Sequence, residues 1–160
     1  MSETKLMVNT LESLKKVFEV ASKDSIESIL GLPVRVYEEF TIVPQINNNF
    51  SISCNLQNSN ERYQSTLTLG VNLSDLPDLI YGETDREMQT DALGEIANVI
   101  SGAIMDYEIF LQEFGYMEQS PPLFSNGGLT YQKAWGIQGV LLAADVKVLF
   151  GYAIWEIHIA

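Results

Sequence analysis

The feature that most constrains the fold is a long stretch of apolar residues at helical spacing between positions 84 and 114. Steps of three and four between apolar side chains are typical of one buried stripe on an amphipathic helix. The pattern predicts a single helix over this range, about 45 Å long. We expect a capping box at residues 84 to 87 and a stop at Gly115. The predicted stripe consists of Leu93, Ile96, Ala97, Ile100, Ala103, Ile104, Tyr107, Phe110, Leu111 and Phe114.

The opposite side of this helix carries a narrow polar stripe. At about 100° per residue, four of its residues fall close together: Asp91, Glu95, Asn98 and Gly102. Gly94 flanks them, and a glycine inside a helix costs about 1 kcal/mol against alanine. Two glycines on a predicted exposed face therefore favour the close approach of another backbone. The two carboxylates are like charges four residues apart, and no Lys or Arg occurs from position 89 to 132 to offset them.

Most polar stripes on helices simply face solvent, so the residue types alone do not distinguish a functional face from a solvated one. Their spacing is more specific. The segment Asp91-x-x-x-Glu95-x-x-Asn98, followed after 22 intervening residues by Pro121, resembles the signature of the CheC/CheX/FliY family of chemotaxis phosphatases. The string from Gly94 to Asn98, with Gly102 four residues on, resembles that family's central helix. One copy is present, which resembles the CheX arrangement and not the two-copy CheC arrangement.

The resemblance implies a phosphatase that removes the phosphoryl group from the aspartyl phosphate of a CheY-like response-regulator receiver domain. By resemblance, Asn98 orients the attacking water, and Glu95 pairs with the receiver's lysine. Asp91 is a secondary contact at the rim, and Gly94 and Gly102 let the two surfaces approach. The receiver already holds a divalent metal, expected to be Mg²⁺, so the resemblance implies no cofactor and no metal site in this chain.

Composition narrows the classes of partner. The net charge is −12, and only nine Lys and Arg residues are spread along the chain, which argues against a nucleic-acid footprint. No apolar run approaches the roughly 18 residues of a membrane span, and the N-terminus lacks the regions of a signal peptide. We therefore expect a cytoplasmic protein that does not enter a membrane. Its 160 residues suit a single domain, with a flexible polar arm over residues 1–9.

Two residues of types that often carry chemistry are predicted to be structural. Cys54 is the only cysteine, and its place in an alternating pattern predicts a buried side chain. His158 is the only histidine and has no cysteine or carboxylate at metal-ligand spacing, so we predict neither metal binding nor catalysis there.

The rest of the chain predicts one further long helix and a set of strands. One helix is favoured from Thr10 to about residue 30, ended by Gly31, although a capping-box pattern at residues 24 to 27 also allows two short helices. Alternating or β-branched runs predict strands at 34 to 43, 50 to 56 and 63 to 71, arranged as a three-stranded meander. Residues 76 to 81 are a short helix or turn, and two apolar runs at 134 to 144 and 146 to 159 are further strands.

This order of elements predicts an α+β domain, in which two long α-helices pack on a largely antiparallel β-sheet. The CheC/CheX family, which the signature resembles, has such a fold. Only residues 91 to 122 agree at the level of the motif. The segment at 74 to 82 is shorter than the family's helix there, and residues 123 to 133 form a long linker.

The sequence is also compatible with two non-catalytic functions. One is that of an adaptor, which binds a receiver or a flagellar-switch component through the same helix. The second is that of a homodimer whose polar stripe is only solvated and whose biological contact is made by the apolar C-terminal strands. The family resemblance likewise implies a homodimer, which an exposed edge strand would suit.

Overall fold

The computed structural model describes residues 3–80, 85–126 and 135–157, and in them helices and a single sheet alternate along the chain. The helices are α1 (Glu3–Leu30), α2 (Leu76–Leu79), α3 (Arg86–Asp106) and α4 (Glu108–Phe114), with a 3₁₀ turn at Leu73–Asp75 before α2. The strands are β1 (Val34–Val43), β2 (Ile52–Ser59), β3 (Tyr63–Val71), β4 (Glu118–Gln119), β5 (Leu123–Asn126), β6 (Trp135–Ala143) and β7 (Val146–Glu156).

The seven strands form one antiparallel sheet in the order β1-β6-β7-β3-β2. Two short strands, β4 and β5, share the outer edge of β2, where Gln119 pairs with Asn58 and Phe124 with Cys54. The long helices α1 and α3 pack on the sheet and against each other. The predicted fold class, α+β with two long helices on a largely antiparallel sheet, is confirmed.

The core lies between the helices and the sheet, because each strand sends alternate side chains to that face. Phe18 of α1 stacks on Tyr152 of β7 with ring centroids 4.8 Å apart, and Phe110 of α4 meets Phe18 edge-on at 6.4 Å. Both phenylalanines are fully buried. Aromatic contacts of this kind join α1, α4 and β7 in one apolar cluster.

Helix α1 begins earlier than the sequence predicted. It starts at Glu3 and not at Thr10, so the described part of the predicted N-terminal arm is helical. Thr10 was expected to be the N-cap, but the helix continues through it, and Met7 in the earlier part packs against the core. Its end agrees with the prediction: Gly31 has a φ of 65° and donates its N–H to the carbonyl oxygen of Glu27 at 2.9 Å.

The predicted unbroken helix over residues 84 to 114 is wrong in one respect, because it breaks at Tyr107. This residue is extended, with φ −71° and ψ 129°, and the chain restarts as α4 at Glu108. The restart changes the helical phase, which leaves Leu111 40% exposed although the pattern placed it on the buried stripe. Apolar spacing cannot reveal a one-residue bend, since both halves bury a stripe of their own. The stop at Gly115 is confirmed, with a φ of 76°.

The predicted three-stranded meander is also wrong. Strand β1 pairs with β6 at one edge of the sheet, far from β2, while only β2 and β3 form the expected hairpin. The connection from β1 to β2 crosses the face of the sheet opposite the helices, where Ile46 packs on Ala153. Gly151 makes room for it, since a Cβ there would lie 2.6 Å from Ile46 Cγ2. Alternation identifies strands but carries no information on such a crossing.

The remaining predictions have mixed outcomes. The strands at 34 to 43 and 63 to 71, the short helix near 76 and the two C-terminal strands are present. The predicted linker at 123 to 133 begins with a strand, β5, and its positions 127 to 133 lie outside the described residues, as do Thr84 and His158. No helix in the described ranges is both long and apolar enough to span a membrane.

Candidate functional site: the exposed face of helix α3

Helix α3 is fixed at its start and along one face. The N-cap is Asp85, one residue after the start of the capping box predicted at 84 to 87, and its side-chain carboxylate accepts a hydrogen bond from the Met88 N–H at 3.2 Å. Apolar side chains then bury against α1 and the sheet, which determines the side of the helix that stays exposed. The buried residues of this face include Leu93, Ile96, Ala97, Ile100 and Ile104.

The structure brings four of the five predicted site residues to the open side of α3. Asp91 and Glu95 are exposed, and Asn98 and Gly102 are half-buried. They lie within three turns of one rigid helix, so their relative positions are set by helical geometry. The fifth residue, Gly94, is buried.

The prediction that Gly94 lets a partner approach is therefore corrected. A Cβ at this position would lie 3.3 Å from Pro122 Cγ and 3.4 Å from Phe124 Cζ. The close approach that this glycine permits is intramolecular: the segment between β4 and β5 packs over α3 at this point. Pro121, the distal proline of the signature, is exposed, and the contact with Gly94 is made by its neighbour Pro122.

Gly102 is different, because a Cβ at this position would meet no neighbouring atom of the described residues within 4 Å. Nothing inside the described part of the molecule requires glycine here, and alanine would favour the helix by about 1 kcal/mol. Glycine at this position would instead allow the backbone of a second molecule to approach the helix closely.

Asn98 is held by a residue that the sequence did not single out. The side-chain amide nitrogen of Gln119, in β4, donates to Asn98 Oδ1 at 3.0 Å and lies 3.4 Å from the backbone carbonyl oxygen of Asn98. No periodic signal could have found Gln119, since β4 has only two residues and follows a glycine-ended helix. Its position comes from the pairing of β4 with β2.

The charged side chains among the predicted site residues on α3, Asp91 and Glu95, are both negative. Three ion pairs occur among the described residues, and none includes Asp91 or Glu95: Lys15 with Glu12, Lys16 with Glu19, and Arg62 with Glu156. The two carboxylates on α3 thus face solvent without a cation from the described part of the chain. Such a surface suits a partner that presents a cationic group at close range.

Two further kinds of chemistry find no support in the described residues. No group of three or more His, Cys, Asp or Glu side chains is arranged to hold a metal ion within residues 3–80, 85–126 and 135–157. Cys54 is fully buried in β2, and that burial raises the pKa of its thiol to about 12, so at neutral pH it is protonated and a poor nucleophile. The predicted buried role of this cysteine is confirmed.

Comparison with known proteins gives the fold a context. No protein-family model and no curated protein matches the chain. Among solved structures, a putative chemotaxis protein from Desulfovibrio vulgaris Hildenborough has a TM-score of 0.72 at 16% identity, over 89% of this chain and 97% of its own. The chemotaxis protein CheX from Vibrio vulnificus has a TM-score of 0.68 at 12% identity, over 87% and 97%.

A third match is the CheX of a CheX–CheY–BeF₃–Mg²⁺ complex from Borrelia burgdorferi, with a TM-score of 0.54 at 15% identity, over 87% of this chain and 96% of its own. At these identities the likeness concerns the fold. The chain thus has the fold of the CheC/CheX chemotaxis proteins.

Proposed function

We propose that this protein is a CheX-like phosphatase that removes the phosphoryl group from the aspartyl phosphate of a CheY-like receiver domain. The observation that carries the proposal is the pair Glu95 and Asn98, one turn apart on the open face of α3 in a CheC/CheX fold. A protein of this fold, the Borrelia burgdorferi CheX, has been solved in complex with CheY, BeF₃ and Mg²⁺. That complex supports a phosphorylated receiver as the partner.

The proposed reaction asks little of this chain beyond positioning. The oxygen of a water bonds to phosphorus while the bond from phosphorus to the aspartyl oxygen breaks. The aspartate carboxylate leaves with the bonding electron pair, and the water's proton passes to the phosphate product or to solvent. The receiver supplies the phosphoryl aspartate, a lysine and Mg²⁺, and this chain supplies Asn98. A carboxamide both donates and accepts hydrogen bonds, so it can hold a water in line with phosphorus.

The neighbouring residues would fix the helix over the receiver. Glu95 is exposed and has no cation among the described residues, which leaves it available to pair with the receiver's lysine. Asp91, a turn earlier and also exposed, would add a contact at the rim. Gly102, with open space at its Cβ, would let the receiver's backbone approach. A homodimer and a cytoplasmic location, where its receiver would also be, belong to the same proposal.

The test is the decay of a phosphorylated CheY-like receiver, with and without catalytic amounts of this protein. Wild type is expected to accelerate the loss of phosphate with multiple turnovers. Asn98→Ala is expected to lower kcat about 100-fold or more, because the water loses its orienting group, while affinity for the beryllofluoride-bound receiver changes little. Asp106→Ala, an exposed acidic position at the end of α3, is the matched control and should keep full activity.

Each outcome has a distinct meaning. Binding without acceleration, across several CheY-like receivers, would show a docking protein and support the adaptor hypothesis. Full activity in Asn98→Ala would contradict the role of Asn98. Glu95→Ala is expected to raise KM more than it lowers kcat, since its proposed role is in docking.

A further inference from the structure

The hydrogen bond between Gln119 and Asn98 has a defined direction. The amide nitrogen of Gln119 lies within hydrogen-bonding distance of two oxygens of Asn98, the side-chain Oδ1 at 3.0 Å and the backbone carbonyl at 3.4 Å. A backbone carbonyl oxygen can only accept hydrogen bonds, so the group of Gln119 that lies near both oxygens is its NH₂ donor. The side-chain atom of Asn98 that faces Gln119 is therefore its oxygen.

Gln119 is fixed by the sheet. Its strand, β4, pairs with β2 through Asn58 and Ser59. Immediately before β4 in the chain, the side chain of Met117 is fully buried. Immediately after β4, both the N–H and the Oγ–H of Ser120 donate to the carbonyl oxygen of Gln57 at 2.9 Å. The donor that reaches Asn98 thus comes from an anchored backbone.

This arrangement selects one of two orientations of the Asn98 carboxamide. The terminal torsion of an asparagine side chain is broad and nearly two-fold, so without a partner its oxygen and nitrogen exchange places at little cost. With Oδ1 held by Gln119, one oxygen lone pair and the whole NH₂ group stay free of partners among the described residues. The free lone pair can accept a hydrogen bond from the attacking water, and the NH₂ group can donate to a phosphoryl oxygen.

We propose that Gln119 is a positioning residue, which holds the Asn98 carboxamide in the one orientation that suits the reaction. This inference rests on the proposed function for its catalytic consequence. The orientation itself is a property of the free protein, and it can be measured without a receiver.

The experiment changes the donor at position 119 and measures the response of Asn98. Gln119→Met keeps the length of the side chain and removes the donor. Gln119→Glu reverses the polarity, since a carboxylate accepts only and favours the flipped carboxamide of Asn98. Gln119→Lys restores a donor. The matched control is Glu118→Gln, in the same two-residue strand and also exposed.

For catalysis, kcat is measured with a saturating phosphorylated CheY-like receiver, and binding with the beryllofluoride-bound receiver. Gln119→Met should lower kcat about three- to ten-fold, which corresponds to the net value of one hydrogen bond, with KM little changed. Gln119→Glu should lower kcat further, and Gln119→Lys should recover most of it. A kcat equal to wild type in both Gln119→Met and Gln119→Glu would overturn the inference.

The second readout is the NMR signal of the Asn98 side-chain NH₂ group in the free protein, assigned by its loss in Asn98→Ala. It should shift in Gln119→Met and Gln119→Glu and stay in place in Glu118→Gln. An unchanged signal in both would overturn the inference even if the protein proves to be a phosphatase. A shifted signal in a protein that never accelerates dephosphorylation would instead confirm the orientation and defeat the proposed function.

Discussion

Two glycines in the same helix occupy opposite environments. Gly94 is covered by Pro122 and Phe124, while a Cβ on Gly102 would have no described neighbour within 4 Å. From the sequence, both stood beside Glu95 and Asn98 and were assigned the same role. The spacing of residues gives the angle of each around the helix but not the position of a segment that folds back over it, which is why one of the two assignments was wrong.

This difference leads to a prediction for the pair of alanine variants. Gly102→Ala should raise the free energy of unfolding by about 0.5 to 1 kcal/mol, since alanine is the better helix former and meets no described neighbour. Gly94→Ala should gain less or lose stability, because its new methyl group presses on the Pro122 ring at 3.3 Å. Urea unfolding of both variants measures this.

The same variants separate folding from docking. If Gly102 is a point of close approach, Gly102→Ala should bind the beryllofluoride-bound receiver more weakly although it is more stable. A stabilised variant with wild-type affinity would remove Gly102 from the proposed interface.

The sequence predicted which residues share the open face of α3, because helical geometry decides that by itself. Asp91, Glu95, Asn98 and Gly102 lie where their spacing placed them. Gln119 could not be found in this way. It reaches Asn98 from a strand of two residues, and only the tertiary pairing of β4 with β2 brings it there.

At the scale of elements, one side chain joins a turn to the end of a helix. Asn60, between β2 and β3, accepts hydrogen bonds at Oδ1 from the N–H groups of Arg62 at 2.9 Å and Tyr63 at 2.7 Å. Its Nδ2 donates to the carbonyl oxygens of Phe114 at 2.8 Å and Tyr116 at 3.1 Å. The last carbonyls of a helix lack intrahelical partners, so Asn60 both shapes the turn and caps α4.

We predict that Asn60→Ala lowers the free energy of unfolding by about 2 kcal/mol, since four hydrogen bonds are lost and their net values are modest. Asn60→Asp is the matched variant: it keeps the acceptor for the turn but has no donor for the carbonyls, and it adds a negative charge at the C-terminal end of α4. It should also be destabilised. An Asp variant as stable as wild type would show that only the turn matters. Chemical denaturation measures both.

The elements show where prediction from sequence stopped. Alternation located β3 and a β-branched, aromatic-rich run located β1, both with their observed bounds, and glycine located the ends of α1 and α4. The partner of β1 and the break at Tyr107 were missed, because both depend on contacts distant in sequence. The first follows from a connection that crosses the sheet, and the second places Phe110 of α4 against Phe18 of α1 and Tyr152 of β7.

At the scale of the whole molecule, Tyr152 lies where α1, α4 and the sheet meet. Its ring stacks on Phe18 at 4.8 Å and meets Phe110 edge-on at 6.1 Å. The side chain is fully buried, and its hydroxyl forms a 2.9 Å hydrogen bond with Ser65 Oγ. Burial raises the pKa of Tyr152 to about 12, mainly because the phenolate would lose its hydration.

Because of this raised pKa, the free energy of unfolding is expected to decrease as the pH rises into the alkaline range. In the unfolded chain a tyrosine ionises near pH 10. Between about pH 10 and 12 the unfolded state has lost the proton that the folded state still holds, so rising pH favours unfolding. The free energy of unfolding should therefore fall through this range, with no contribution from Tyr152 below it.

Tyr152→Phe isolates that contribution, because the other six of the seven tyrosines are the same in both proteins. At pH 8 the variant should be less stable by about 1 kcal/mol, since Ser65 loses its hydroxyl partner. As pH rises past 10 the wild type should lose stability faster, so the two curves of unfolding free energy against pH should converge. Curves that stay parallel from pH 8 to 11 would show that Tyr152 is not held protonated by burial. Urea unfolding at intervals of pH makes the comparison, and the convergence would identify the buried hydroxyl as a point at which alkaline pH acts on the whole core.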